Sequence, residues 1–568
     1  MKILDANCIE RIVSEDYADF LTDYTRNLET LQNDPNICLD IINENIATIF
    51  VDKNLLIPNA IQVYGYSVFP RCFGLLDINS LEPSGITRLR NIPTFSLQGQ
   101  DVLVGIIDTG IEYTHDAFKF SDGTSKIASI WDQTIQTGTP PEGFLYGTEY
   151  TMDQINEALQ NPNPLSIVPS TDVNGHGTLL AGIAAGTISP ENSFSGVAPL
   201  AQLVVVKLKP AKQFIREFLI IPQDVECYQE NDIIYAAKYL ISVATRLKKP
   251  IAICIGLGSS QGAHDDRGFL GSYLTSIARR TSTAVVIAAG NEGNSGHHYY
   301  GSIDPSVKLN TVELRIGPNE PGFMMELWGD APNTFSIDIL SPTGEFIPRI
   351  PARLGESRVI KFIFEKTVIN IDYEFVEAQT GSQLILMRFT DPTEGIWKFQ
   401  IYKSLDLNSK FHIWLPMRQF LSTETYFIRP DPNYTLTAPA NTYIPIVVTA
   451  YDHTNQSLFI QASRGYTRNE IISPVIAAPG VNLIGPSLNN SYTTASGTSL
   501  AAAHVTGVAA MLLEWGYVKG NYVQMDSVEI KNFILRGAKR DPNLTYPNRE
   551  WGYGILDIYN SFISLRGE

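Results

Sequence analysis

The sequence is short of the features that mark nucleic-acid-binding and membrane-spanning proteins. Its 568 residues hold 42 lysines and arginines against 59 acidic residues, which gives a formal net charge of −17 at pH 7. Such an excess of negative charge argues against nucleic acid or an anionic membrane as a partner. No apolar run reaches the roughly 18 residues of a membrane span, so no span is predicted.

A secretory signal and metal-binding motifs are also missing. The first 31 residues carry acidic side chains such as Asp5, Glu10 and Asp19 and have no apolar core, so we expect a chain made in the cytoplasm without a signal peptide. No histidine stands at metal-ligand spacing from cysteines or carboxylates, and Asp265-Asp266 is too short an acidic run for a calcium loop. The sequence therefore predicts neither a metal nor a cofactor.

Cysteine is scarce, and its distribution bears on the redox environment. The five cysteines are scattered along the chain as Cys8, Cys38, Cys72, Cys227 and Cys254. An odd number without regular spacing does not indicate a disulfide framework. We interpret these residues as free thiols in a reducing compartment.

The sequence does contain four short motifs in a fixed order. They are Ile107-Asp108-Thr109-Gly110, Asn174-Gly175-His176-Gly177-Thr178, Ala288-Ala289-Gly290-Asn291-Glu292-Gly293 and Ser496-Gly497-Thr498-Ser499. Each motif alone is commonly a turn, a loop or a helix cap. Their joint occurrence in this order is improbable by chance, so we take them together as an active-site pattern.

The residue types in these motifs fit nucleophilic catalysis. A serine hydroxyl is a poor nucleophile until a base takes its proton, and His176 is the candidate base for Ser499. Asp108, at the end of the strand-like run 102–107, would hold the imidazole in the required tautomer. The apolar run 501–513 predicts a buried helix, whose N-terminus beside Ser499 favours developing negative charge. The side chain of Asn291 would be a second donor to that charge.

The Asp, His, Ser order and these motifs resemble the subtilisin-like serine proteases, the subtilase or peptidase S8 family. The resemblance implies an α/β fold, a parallel sheet flanked by helices, with Asp108, His176 and Ser499 as catalytic triad and Asn291 at the oxyanion position. It further implies that the specificity pocket is lined by two segments, Gly256, Leu257 and Gly258 on one wall and Ala288, Ala289 and Gly290 on the other.

The spacing of the motifs predicts an inserted domain. Asn291 and Ser499 are 208 residues apart, against roughly 65 in subtilisin, so about 140 residues are extra. Strand-like segments separated by turn residues lie within this region. They are Phe335–Leu340, Val359–Phe364, Leu384–Phe389 and Trp397–Tyr402. We predict an antiparallel β jelly-roll domain over residues 300–432, between catalytic parts 79–299 and 433–568.

The N-terminal region has the size expected of a subtilase prodomain. Residues 1–78 precede a segment that resembles the opening of a mature subtilase, and they mix a helical stretch, Ile9–Leu31, with strand-like Ile46–Val51 and Ile61–Val68. The resemblance implies an α+β prodomain that acts as folding chaperone and inhibitor and is cut off by the enzyme itself. We expect the cut between Arg71 and Ser80. The alternative is an N-terminal subdomain that is never removed.

This combination of parts is most similar to the clostridial germination-specific Csp proteases. That resemblance implies a spore protein that activates the inactive precursor of a cortex-lytic enzyme by limited proteolysis, with its own cleaved prodomain as a second partner. Some Csp proteins are pseudoproteases, so a catalytically silent germination sensor or scaffold is one alternative. An intracellular degradative subtilase is another. The intact triad favours the active, selective endopeptidase.

Overall fold

A computed structural model describes residues 6–23, 37–56, 60–75, 84–90, 96–422 and 424–566 of the chain. The helices in these ranges are α1 Ala6–Val13, α2 Ala60–Tyr64, α3 Ile86–Arg90, α4 Met152–Gln160, α5 His176–Ala185, α6 Gln213–Leu219, α7 Glu230–Leu247, α8 Phe269–Ala278, α9 Thr498–Leu513, α10 Ser527–Gly537 and α11 Ile558–Ile563. The strands are β1 Tyr17–Asp23, β2 Ile37–Ile41, β3 Ile46–Asp52, β4 Cys72–Leu75, β5 Leu103–Asp108, β6 Ile127–Asp132, β7 Thr148–Thr151, β8 Gln202–Lys207, β9 Tyr228–Gln229, β10 Ile251–Ile255, β11 Leu257–Gly258, β12 Thr283–Ala288, β13 His298–Ile303, β14 Leu309–Ile316, β15 Gly322–Gly329, β16 Phe335–Leu340, β17 Phe346–Ile350, β18 Ser357–Lys361, β19 Val368–Glu374, β20 Gln383–Thr390, β21 Gly395–Lys403, β22 Ser409–Trp414, β23 Tyr426–Phe427, β24 Ile446–Asp452, β25 Ser457–Leu458, β26 Ile476–Pro479, β27 Leu483–Ser487 and β28 Ser491–Ala495.

A mostly parallel sheet lies at the centre of the molecule. Its strands follow the order β25-β24-β12-β10-β5-β8-β6-β7, and β26 pairs with β24. β7 and β25 pair antiparallel with their neighbours, whereas the strands between them run parallel. Every residue of β5 is buried, as expected for a parallel strand covered by helices on both faces. The predicted parallel α/β sheet is therefore confirmed.

The two faces of the sheet build two separate cores. Val104 and Ile106 of β5 join the core that contains α9, whereas Leu103 and Ile107 join the core that contains α7 and α8. This division follows from the two-residue period of a strand, which sends alternate side chains to opposite faces. Asp108, the last residue of β5, therefore emerges at the carboxyl edge of a sheet that is fixed by packing on both sides.

Residues 298–427 form an antiparallel body of two facing sheets. One sheet has the order β13-β22-β15-β20-β19-β18 and the other the order β17-β16-β21-β14-β23. Buried side chains such as Phe323, Trp397 and Phe411 fill the space between them. The opposite face of the six-stranded sheet contributes Trp328 and Trp414 to the core shared with α9. The antiparallel body is thus packed onto the central sheet and has a core of its own.

The strand predictions for this body are confirmed except at one end. β16 begins and ends at the predicted residues, and β20 and β21 contain the predicted segments. β18, however, ends at Lys361, short of the predicted Phe364. Ile363 and Phe364 are 81% and 79% exposed, so their apolar character does not reflect a strand in the core. The domain limits 300–432 and the jelly-roll arrangement stay predictions.

The secondary structure predicted for the N-terminal region is partly wrong. The expected helix Ile9–Leu31 ends at Val13, and β1 begins at Tyr17 and pairs antiparallel with β3; residues 24–31 of that prediction lie outside the described ranges. The burial of Phe20 and Leu21 in the sheet outweighs the helical propensity of this segment. The segment Ile61–Val68, predicted as a strand, contains helix α2 instead, whereas β3 confirms Ile46–Val51.

The cysteine prediction needs one correction. Cys72, Cys227 and Cys254 are buried free thiols, but Cys38 is disulfide-bonded, so the interpretation as thiols alone is wrong at that position. Spacing in the sequence did not reveal which cysteine the fold would pair. Within the described ranges, no helix combines the length and apolarity needed to cross a membrane. The same residues include no group of three histidine, cysteine or carboxylate side chains arranged for a metal ion.

Candidate active site

Asp108 occupies the carboxyl end of β5, in the middle of the central sheet. Its carboxylate is fully buried. One oxygen, Oδ1, accepts a hydrogen bond of 2.8 Å from the backbone N–H of Thr109 and lies 2.8 Å from Nδ1 of His176. The first contact fixes the carboxylate, and the second lets it orient the imidazole. This edge of a parallel sheet is where ligands bind in open α/β folds.

His176 is the first residue of α5, and Asp172 holds the turn that delivers it. One carboxylate oxygen of Asp172 accepts the backbone N–H of Gly175 at 2.8 Å, and the other accepts that of Thr178 at 2.9 Å. These bonds satisfy N–H groups that a helix start leaves unpaired. Asp172 was not predicted from the sequence, although an Asp a few residues before a helix start commonly accepts its first N–H groups.

Ser499 lies in the first turn of α9, within reach of the histidine. Its Oγ is 3.1 Å from Nε2 of His176, so Asp108, His176 and Ser499 form a continuous row of contacts. The predicted helix over 501–513 is confirmed and begins at Thr498. Every residue of α9 is buried, because its small side chains allow it to pack closely against β10 and β12. The serine is therefore held on a rigid element.

Asn291 follows β12 and is oriented by Thr498. Its Oδ1 accepts hydrogen bonds from the backbone N–H and the hydroxyl of Thr498, at 3.2 and 3.0 Å. With the amide oxygen held on that side, the amide NH₂ faces the opposite way and is available to donate. Thr498 also accepts the backbone N–H of Gly290 at 3.1 Å. The sequence analysis identified Asn291 but not the threonine that positions it.

Gly256, the first residue of one predicted pocket wall, lies next to the serine and the histidine. A Cβ at this position would lie 3.2 Å from Cβ of Ser499, 3.3 Å from Cε1 of His176 and 2.7 Å from a methyl of Leu180. Any side chain would therefore press on the reacting residues. This close approach explains why glycine stands here between β10 and β11.

The two predicted pocket walls come together around Thr437. Leu257 and Gly258 form β11, Ala288 ends β12, and Ala289 and Gly290 follow it. A Cβ at Gly258 or at Gly290 would lie 2.3 or 2.6 Å from the hydroxyl of Thr437. The structure thus brings both walls to one place. It adds Thr437, which lies beyond the antiparallel body in the sequence and was not predicted.

The N-terminal strand β4 runs through this site. Leu75 and Gly74 pair antiparallel with Leu257 and Gly258, and Phe73 and Cys72 pair with Tyr228 and Gln229 of β9 on the other side. β4 is therefore the middle strand of the order β11-β4-β9. β4 ends at Leu75, opposite the residue that follows Gly256.

Glu226 adds negative charge beside the histidine loop. Its carboxylate accepts a hydrogen bond of 3.0 Å from the side chain of Asn174, two residues before His176. Burial raises the pKa of Glu226, the nearby charges of Asp172 and Asp108 raise it further, and the Asn174 bond lowers it. The rim of the site is thus acidic. The sequence offered no motif around Glu226 that would have revealed this.

The comparisons with known proteins point to one family. The family model described as the subtilase family matches residues 99–312 and 428–554, so the first segment reaches into β14 and the second begins after β23. The chain is 24% identical to the PII-type proteinase of Lacticaseibacillus paracasei over 527 residues, which are 82% of the chain and 26% of that protein. It is 22% identical to the C5a peptidase of Streptococcus pyogenes serotype M1, covering 81% of the chain and 39% of the peptidase. The chain therefore spans only about a quarter to two fifths of the length of these relatives.

One solved structure is similar over nearly its whole length. The CspB protease of Clostridium perfringens superposes with a TM-score of 0.76 at 29% sequence identity, covering 86% of this chain and 99% of that one. The likeness extends over the antiparallel body as well as the central sheet, because so large a share of both chains is covered. The match establishes the arrangement of a parallel sheet, flanking helices and several antiparallel sheets.

Proposed function

The chain belongs to the subtilase family of serine proteases, and from this premise we propose that it is an endopeptidase that first cuts its own N-terminal region and then activates a protein substrate by limited proteolysis. The observation that carries the proposal is the row of contacts from Asp108 through His176 to Ser499, with the Asn291 amide oriented beside it. These residues have the geometry that acyl transfer requires.

In the proposed mechanism His176 takes the proton of Ser499 as the hydroxyl attacks the peptide carbonyl. Asp108 keeps Nδ1 of the imidazole protonated, so that Nε2 is free to accept, and stabilises the imidazolium that forms. The negative charge on the former carbonyl oxygen is met by the Asn291 NH₂ and by backbone N–H groups in the first turn of α9. His176 then donates its proton to the leaving amine, and water completes the hydrolysis.

The position of β4 supports self-cleavage close to its end. Leu75, the last residue of β4, pairs with Leu257, whose neighbour Gly256 lies against Ser499 and His176. We therefore infer that the Leu76–Asp77 bond is cut first, within the range Arg71 to Ser80 predicted from sequence; residues 76–80 lie outside the described ranges. A cut there gives a first N-terminal piece of residues 1–76, two residues short of the predicted prodomain 1–78; 79–299 and 433–568 are proposed as the catalytic parts.

Replacing Ser499 by Ala tests the proposal directly. The purified wild type is expected as two pieces, a small N-terminal piece and a large remainder, whereas the Ser499→Ala chain stays whole. Intact mass spectrometry reads both species and locates the cut. If both chains stay full length and the wild type does not react with a fluorophosphonate probe, the protease proposal is wrong and the silent sensor or scaffold becomes the better explanation.

The Asn291→Ala variant is expected to slow self-cleavage about 10²- to 10³-fold, because one of the donors to the oxyanion is removed. The rate is measured from the ratio of whole to cut chain over time. Asn294→Ala is the matched control, since Asn294 lies three residues away and its Oδ1 accepts a hydrogen bond of 2.6 Å from the guanidinium of Arg418. Equal rates for Asn291→Ala and wild type would contradict the assigned role.

The biological substrate is a further part of the proposal. The likeness to CspB supports a spore protein whose substrate is the inactive precursor of a cortex-lytic enzyme. The processed enzyme is expected to cut such a precursor at one place and to leave casein almost intact. Extensive casein hydrolysis would instead favour a degradative subtilase.

A further inference from the structure

Arg71, the residue just before β4, extends into a pocket between the catalytic part and the antiparallel body. A Cβ at Gly262 would lie 2.6 Å from the guanidinium carbon, and one at Gly268 would lie 2.9 Å from the guanidinium nitrogens. Trp328 and Glu377 of the antiparallel body line the same pocket. The absence of side chains at both glycines is therefore what leaves room for the arginine.

Three buried carboxylates act electrostatically on this guanidinium. Glu230, Glu326 and Glu377 are each only 2% exposed. Burial lowers the pKa of Arg71, but the charges of Glu230, Tyr66, Glu326 and Glu377 more than compensate, so that the pKa is raised overall. The surroundings of this arginine therefore favour a positive charge.

Glu377 lines the pocket with a carboxylate that is only partly hydrogen-bonded. Its Oε2 accepts the backbone N–H groups of Gln379 and Thr380 at 3.1 and 2.9 Å, whereas its Oε1 is buried without a hydrogen-bond partner. A buried carboxylate oxygen without a partner is costly, and a nearby positive charge offsets that cost. Arg267 also lines the pocket, but it is exposed and donates to the carbonyl of Thr380 at 2.9 Å.

β4 connects this pocket with the neighbourhood of Ser499. The backbone of Arg71 is held by Glu230, whose N–H donates to the Arg71 carbonyl at 2.9 Å, and β4 then pairs with β9 and β11 up to the serine. A protein substrate that presents a peptide bond to Ser499 must follow the same strands once the N-terminal region has left. Its residue at the position of Arg71 would then take the place of the arginine beside Trp328 and Glu377.

We propose that the pocket formed by Gly262, Gly268, Glu230, Glu326 and Glu377 is a substrate subsite that selects an arginine at the sixth residue before the cut bond. The inference rests on the proposed proteolysis and deepens it by naming a feature of the substrate. Arginine fits better than lysine, because its planar guanidinium presents several donors to the carboxylates in a fixed geometry.

Competition between peptides tests the subsite. Peptides with the sequence of residues 68–80, carrying Arg71 or the replacements Lys, Gln and Ala, are mixed pairwise with the processed wild type in one tube. Any N-terminal piece still bound slows both peptides equally, so the ratio of their cleavage rates remains valid. We expect the Arg peptide to be cut at least tenfold faster than the Gln and Ala peptides, with Lys between them. Equal rates would overturn the proposal.

Variants of the enzyme locate the preference in the pocket. Glu377→Gln is expected to reduce the Arg-to-Gln ratio to below about threefold, whereas Glu394→Gln, which changes an exposed carboxylate of the same body, keeps the full ratio. A full ratio in Glu377→Gln would overturn the assignment of this residue. Failure of the proposed function itself looks different, because the wild type would then cut none of the peptides.

A second measurement keeps the test independent of cleavage. In the Ser499→Ala chain, which is expected to stay whole, Arg71→Gln and Glu377→Gln are compared singly and together by urea unfolding. If the pocket holds the guanidinium, the loss in the double variant is smaller than the sum of the two single losses. Additive losses would show that Arg71 and Glu377 do not interact and would overturn the subsite.

Discussion

Asp108→Asn is expected to lower the rate of self-cleavage about 10⁴-fold while the chain stays folded. The amide would still fit at the end of β5, but its NH₂ can donate to Nδ1 of His176, which the carboxylate cannot do. The proton of the imidazole is then placed on Nε2, 3.1 Å from the Ser499 hydroxyl, where it blocks acceptance of the serine proton. The rate is measured as conversion of whole chain into two pieces.

A buried carboxylate two strands away in the central sheet provides the control for this prediction. Asp132 ends β6 and is also fully buried, but it accepts hydrogen bonds from Ser170 and Thr134 and does not contact the histidine. Asp132→Asn is expected to reduce stability without a comparable loss of rate. If Asp108→Asn were cut within tenfold of the wild-type rate, Asp108 would not be setting the tautomer of His176.

Asp19→Ala is expected to weaken binding of the cut N-terminal piece by about 3–5 kcal/mol, a hundred- to several-thousand-fold in affinity. Asp19 of β1 and Lys212 of the catalytic part are 3% and 2% exposed, and Oδ1 lies 2.5 Å from Nζ. Its other oxygen accepts the side-chain amides of Gln229 and Asn231, at 3.3 and 3.1 Å. Removal of the carboxylate leaves a buried lysine without this partner.

The direction of the lysine pKa agrees with this expectation. Burial lowers the pKa of Lys212, and the charge of Asp19 acts against that shift. Without Asp19 the ammonium group is less stable in the complex, so dissociation of the N-terminal piece is favoured. Size-exclusion chromatography of the processed protein measures how much of the piece stays bound.

An exposed aspartate on the same region is the matched control. Asp16, which precedes β1, is exposed, and its replacement by Ala is expected to leave the N-terminal piece bound as in the wild type. If Asp19→Ala and the wild type released the piece equally, the buried ion pair would not be a major contributor to the complex.

The sequence was most informative where a motif and a regular pattern coincide. Asp108 follows an apolar run and Ser499 precedes a helix of small residues, so both were assigned to the correct ends of β5 and α9. Order along the chain then identified His176 as their partner. These features are local, and the packing of the central sheet reinforces them.

Predictions failed where distant contacts decide the structure. β1 was expected to be helical, but its pairing with β3 places Leu21 in the core. Thr437 was not predicted, because it follows the antiparallel body in the sequence and contacts the pocket walls only in the folded chain. Asp172 was not predicted, because it acts through hydrogen bonds to backbone N–H groups. The Arg71 pocket could not be predicted either, since its walls come from three separate parts of the sequence.

The order of the strands along the chain determines when the central sheet can be completed during synthesis. β12 precedes the antiparallel body and β24 follows it, yet the two pair side by side, and Ser499 comes later still. A growing chain on the ribosome therefore exposes the edge of β12 while well over a hundred residues are being added. Because domains form from the N-terminus during translation, the antiparallel body can fold before this gap is closed. Ser499, the proposed nucleophile, is thus among the last parts to emerge. A prematurely terminated chain would carry an aggregation-prone strand edge but would lack this serine.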